Sequence, residues 1–224
     1  KKAIEMGADY VLLGGMNDTI VDSEFITALV DTAEKNPRSI TLPKVYVHDN
    51  PKRLSFAGGD INWLKGGPTI IGAGKIDTGQ YDLQCDIKHG GLGILVNTSF
   101  FGDVGMMDFK SFPMYWGDTD FTYRAYKKGY RIIYEPKSRM WHKVCSTVKK
   151  DASSNPTSFL SALIYLTTNI RSTQNFRTVI KFHLRYCPLY LIPYVLMRYA
   201  LRVIIGSMLH SSFFRGVIDK TIHR

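Results

Sequence analysis

Apolar residues in the first half of the chain fall into short continuous runs separated by stretches with three- and four-residue spacing, the pattern of strands alternating with helices in an α/β domain. Asp9-Tyr10-Val11-Leu12-Leu13 is one such run, following a Gly7 suited to stopping a helix, and it predicts a buried strand. Asp22-Ser23-Glu24 then opens a helix with Phe25, Leu29, Val30 and Ala33 on one face, ending near Asn36-Pro37. Further strands are predicted over 40–47, 91–96 and 131–134. Helices are predicted over 98–104 and after Asp120, where Phe121, Arg124, Ala125 and Lys128 precede a stop at Gly129. Residues 48–88, rich in Gly and aromatic side chains, predict short strands and turns outside the core.

Ser153-Ser154-Asn155-Pro156 marks a boundary, and beyond it 158–169 and 176–209 have helical spacing with few acids. The expected organisation is therefore an α/β domain over 1–152 and a helical, basic segment over 153–224. The longest uncharged run near the end, 186–197, contains Pro188 and Pro193 and is too short to span a bilayer.

Composition adds three constraints. With 224 residues and 45% hydrophobic content the chain can build a core, which excludes general disorder. Its net charge of +10 points to a polyanionic partner, and past Asp151 many Lys and Arg residues face a single acid, Asp219. Nucleic acid is not the expected partner, because no helix-turn-helix, zinc-finger or RNP pattern is present. Between 176 and 209, Phe182, Tyr186, Leu189, Tyr190 and Met197 interleave with Arg177, Lys181, Arg185, Arg198 and Arg202. That suits a helix pair in an anionic membrane interface, or helices packed on the neighbouring domain with their charges outward. Cys85, Cys145 and Cys187 form no C-x-x-C pair, so neither a disulfide framework nor a thiolate zinc site is indicated, and a reducing compartment is expected.

Candidate chemistry sits at strand and helix ends. Asn17-Asp18-Thr19 follows a strand where open α/β sheets place ligands; Asp18 is suited to hold a divalent ion or simply to close a turn. Asp118 precedes a helix, as a general base or as its cap, and Asp120 complements the dipole of the first turn. His142, at a strand end beside Trp141, suits a phosphate or metal contact, or a packed core position. Trp63, Tyr115 and Trp116 offer flat faces for sugar rings or for the core.

The ordered set Gly7-Ala8-Asp9-Tyr10-Val11-Leu12-Leu13, Asn17-Asp18-Thr19, Asn36-Pro37, Pro43-Lys44-Val45-Tyr46, Gly58-Gly59-Asp60-Ile61-Asn62-Trp63, Asp118-Thr119-Asp120-Phe121, Arg124, Gly129-Tyr130 and Trp141-His142-Lys143-Val144 resembles family 2 of the inverting glycosyltransferases, in its rhamnosyltransferase-like branch. The resemblance covers about residues 1–150. It implies a GT-A fold, a mixed Rossmann-like sheet flanked by helices, incomplete at its N-terminus because the nucleotide-binding strands would precede Lys1. It also implies Asp18 as the last position of the metal-binding acidic motif, Asp118 as catalytic base, and His142 near metal and diphosphate. Asn17 would join the donor site, with Trp63, Tyr115 and Trp116 on the acceptor side.

The implied cofactor is a divalent cation, Mg2+ or Mn2+, and the implied donor a nucleotide-diphosphate sugar. The acceptor would be a saccharide or a lipid-linked saccharide in cell-surface polysaccharide synthesis, with the protein on the cytoplasmic face of the cell membrane. Met16 stands where the family has Asn or Asp, and Gly117 where it has Glu. Gly14-Gly15 before Met16 and His89-Gly90 before Gly91 also depart from its pattern. The competing expectation is a catalytically degenerate binding or scaffolding subunit.

Overall fold

The computed structural model describes residues 2–14, 18–143 and 158–210. The chain forms two compact units. The first contains the described residues up to 61 together with 68–107 and 118–143; the second contains 62–67, 108–117 and the described C-terminal residues.

In the first unit a short helix, α1 (Lys2–Glu5), precedes strands β1 (Tyr10–Leu13) and β2 (Thr19–Val21), helix α2 (Phe25–Lys35) and strands β3 (Ser39–Val47) and β4 (Asn50–Phe56). Strands β5 (Gly59–Asn62) and β6 (Gly67–Ile70) pair only with each other. There follow β7 (Cys85–Ile87), β8 (Ile94–Asn97), α3 (Phe100–Asp103), α4 (Gly117–Lys127) and β9 (Arg131–His142). Seven of these strands make one mixed sheet, in the order β1-β8-β3-β9-β2, with β4 also on β3 and β7 also on β9. The β3–β9 pair is parallel, and β1–β8, β3–β8, β3–β4, β7–β9 and β2–β9 are antiparallel. This is the expected mixed α/β sheet flanked by helices.

Strand β3 is central and buried along nearly its whole length, which explains its high apolar content, and its polar residues Ser39, Thr41 and Lys44 are buried with the rest. Pro43 lacks the N–H a central strand needs, and it sits where the register with β9 jumps from Pro43–Glu135 to Lys44–Arg139. The buried Lys44 ammonium is held 2.9 Å from Asp77 and also meets Asp82, while the Tyr46 hydroxyl donates to Asp77 at 2.6 Å. Burial opposes ionisation of Asp77, yet the bonds from Tyr46 and Lys44 hold its carboxyl below the usual range.

Four expectations change. Strand β1 is half-buried and antiparallel to its neighbour, because it lies at the sheet edge among the described residues. Residues 48–88 are not all outside the core: β4 and β7 join the large sheet, and Leu54, Phe56 and Ile87 are buried in it. Strand β9 continues to His142, past the interruption at Pro136 that hides its second half in the sequence. Helix α4 begins at Gly117, so Asp118 lies inside the first turn rather than capping it.

In the second unit Ser158 and Ser161 form a capping box for α5 (Phe159–Thr168), and the Asn175 side chain accepts from Thr178 N to cap α6 (Phe176–Tyr186). A 3-10 turn (Leu189–Leu191) leads into α7 (Ile192–His210). The stretch Leu189–Leu209 is long enough to cross a membrane, with mean hydropathy 1.4, although the longest uncharged run is short. Arg198 and Arg202 interrupt that run without interrupting the helix.

Candidate active site

Pairing of β2 with the last residues of β9 sets Thr19 opposite His142, and Lys143 N donates to the Asp18 carbonyl at 3.0 Å. The sheet thereby brings Asp18 and His142 together from distant positions, with His142 Nε2 at 3.4 Å from Asp18 Oδ2. The other carboxylate oxygen, Asp18 Oδ1, is buried and has no hydrogen-bond partner among the described residues. A carboxylate oxygen left unsatisfied costs about 1–3 kcal/mol or more, a cost that a bound cation would remove. No group of three or more His, Cys, Asp or Glu suited to a metal occurs among the described residues. Asp18 and His142 thus fit a divalent ion as two protein donors, its remaining ligands coming from outside that pair. Asn17 and Met16 lie outside the described residues.

Asp118 is fixed by its backbone. The Thr122 hydroxyl, one turn on, donates to the Asp118 carbonyl at 2.8 Å and accepts from Gly90 N at 3.0 Å, tying the first turn of α4 to the loop before β8. A Cβ on Gly90 would lie 2.3 Å from Leu42 Cδ2, so that loop admits no side chain there; a Cβ on Gly91 would lie 3.7 Å from Asp118 Oδ2. Gly90 is therefore the position at which this loop, passing Asp118, requires a glycine. Burial pushes the Asp118 carboxyl up to about 6. The residue as a whole is nonetheless exposed, so the carboxyl is crowded by its neighbours and open to solvent at the same time.

A Cβ on Gly93 would lie 3.1 Å from Met140 Sδ and 2.7 Å from Pro43 Cγ, so the loop that passes Asp118 at Gly91 lies against β3 and β9 at Gly93.

Two residues take roles the sequence did not reveal. Asp120 is fully buried with Arg124 at 3.5 Å, and Arg124 donates to the carbonyls of Val104 and Met106 at 2.6 and 2.9 Å. That arrangement braces the chain after α3, beyond any dipole effect. Trp141 stacks on Tyr46, with ring centroids 5.5 Å apart. The only advance signal for the first was the i,i+4 spacing of Asp120 and Arg124.

Trp63 and Trp116 belong to the second unit, where both pack against Phe182 and His183. Trp116 Nε1 donates to the Thr173 carbonyl at 3.0 Å, and Tyr115 is half-buried beside it in the chain. Both tryptophan rings thus have packing partners within their own unit.

No family model and no curated protein matches the sequence. Among solved structures, a crystal structure of GalNAc-T7 with UDP, GalNAc and Mn2+ is similar at 13% identity and a TM-score of 0.47, over 82% of this chain and 40% of that one. This chain therefore spans less than half the length of that protein.

Proposed function

We propose that the chain is the metal and acceptor half of a GT-A glycosyltransferase of family 2, transferring a sugar from a nucleotide-diphosphate donor to a saccharide or lipid-linked acceptor with inversion. The observation that carries this reading is the Asp18–His142 pair, in which one buried carboxylate oxygen has no hydrogen-bond partner among the described residues; Asp118, whose carboxyl is raised by its surroundings, supports it. As general base, Asp118 takes the proton of the acceptor hydroxyl as that oxygen attacks the anomeric carbon from the face opposite the leaving group. Asp18 and His142 would hold a divalent ion, Mg2+ or Mn2+, whose chemistry is to neutralise charge on the departing diphosphate. The rhamnosyltransferase-like branch and cell-surface polysaccharide synthesis remain part of this reading through the sequence resemblance.

Calorimetry on the full-length protein tests the ion site. Nucleoside diphosphate is expected to bind only with Mn2+ or Mg2+ present, and Asp18→Asn to weaken that binding by at least about tenfold. Equal affinity in metal and in EDTA would sink the metal assignment and favour a scaffolding subunit.

We further propose that the second unit lies on the cytoplasmic face of an anionic membrane. Leu189 and Tyr190 are each 81% exposed, and Leu160, Phe176, Leu184 and Ile205 also face outward, near the basic residues of α6 and α7. Free Cys85 and Cys187 agree with a reducing compartment. Co-sedimentation should show stronger binding to phosphatidylglycerol than to phosphatidylcholine vesicles, by about 1 kcal/mol for each Lys or Arg engaged, and weakening with salt. Indifference to lipid charge would count against it.

A further inference from the structure

We propose that the second unit holds its own binding site for a phosphate or diphosphate group, independent of the transfer chemistry above. The site is a cavity of about 460 Å³ beside α7, within the usual range for small-ligand pockets. Three cations line it: Arg198 and Arg202, one turn apart on α7, and Lys65 from the turn before Gly66. A Cβ on Gly66 would lie 3.8 Å from Arg198 Nε, so this turn is seated against the arginine. None of the three has an acidic partner among the described residues. Like charges gathered in one recess repel, and a multivalent anion removes the repulsion. Two guanidinium forks suit phosphate oxygens better than a lone carboxylate.

The walls are held before any ligand arrives. Trp116 Nε1 is tied to the Thr173 carbonyl, and the Tyr199 hydroxyl donates to the Gln174 carbonyl at 2.8 Å, so both rings are fixed by their polar ends. Trp116 adopts a φ of 69°, a costly conformation for a bulky residue, and such strain concentrates at binding sites. Gln174 Oε1 is buried without a hydrogen-bond partner and lines the same cavity, where it would accept from a ligand hydroxyl. The ligand is thus a phosphate or diphosphate ester whose remaining part lies against Trp116 and Tyr199 and carries a hydroxyl.

The test uses the full-length protein in EDTA, which removes any contribution of a metal-held diphosphate. Two charge-matched double variants are compared: R198Q/R202Q within the site, and R177Q/K181Q on α6, away from this cavity. The probes are inorganic pyrophosphate, followed by calorimetry, and phosphatidate vesicles, followed by co-sedimentation. With pyrophosphate, R198Q/R202Q is expected to weaken binding at least about tenfold and R177Q/K181Q to change it by no more than about twofold; with phosphatidate vesicles both double variants lose general surface attraction, and R198Q/R202Q is expected to lose at least about fivefold more than R177Q/K181Q. Selective loss with pyrophosphate supports a free phosphate compound. Selective loss with vesicles alone supports a lipid-borne phosphate. Equal behaviour of the two double variants with both probes, or no binding of either probe by the wild type, overturns the site. Neither result depends on Asp18 or Asp118, so this site and the glycosyltransferase reading fail separately.

Discussion

Replacing Asp118 by Asn is expected to lower kcat for sugar transfer by about 10²- to 10⁴-fold, the usual contribution of a positioned general base, while nucleotide affinity stays within about threefold. Asn keeps the shape of the side chain and removes only its ability to take a proton. The pH dependence follows from the same group. With its carboxyl raised from 3.8 to about 6 by burial, the wild-type base is protonated and idle in mild acid, so kcat/KM should fall on the acid side with a midpoint near that value. Stability runs the other way. The protonated form is favoured in the folded state, so the stability it contributes is fully present below the ordinary carboxylate value and is lost as pH rises through about 6. Asp118→Asn should therefore melt higher than wild type at pH 8, with the gap closing towards pH 4. An unchanged rate, or an acid limb that persists in the variant, would remove Asp118 from the role of base.

Phe121→Ala is expected to cost about 3–5 kcal/mol in a urea titration of the full-length protein. The ring is fully buried, with its centroid 5.1 Å from Phe100 and 6.2 Å from Phe101, on the inner face of α4. Removing it leaves a cavity that rigid aromatic neighbours fill poorly. Because Asp118 rides one turn earlier on the same helix, activity should fall even under conditions where the variant remains folded. A loss below about 1 kcal/mol would show that other contacts seat the helix.

The sequence discloses the sheet where buried strands are rich in apolar residues, as in β3 and β8, since burial on both faces favours them. It conceals β4, whose exposed first four residues are Asn50, Pro51, Lys52 and Arg53, and the second half of β9, where Pro136 breaks the pattern. Asp18 and Asp118 are legible as candidates through their positions after a strand and at a helix start. The meeting of Asp18 with His142 is not, because it depends on the antiparallel register of β2 with β9, which no local spacing encodes. Gly90 looks anomalous in the sequence and becomes intelligible only beside Leu42. Trp63 and Trp116, far apart in the chain, meet on Phe182 and His183 through long-range packing alone.

The Thr122 hydroxyl grips the backbone on both sides of it, at Gly90 and at Asp118. Asp118, the proposed proton acceptor, is thereby tied through its main chain to the loop before β8. Surrounding residues are free to be exchanged to suit a differently shaped alcohol without moving the carboxylate, so substrate preference and proton transfer can diversify as separate properties of one framework.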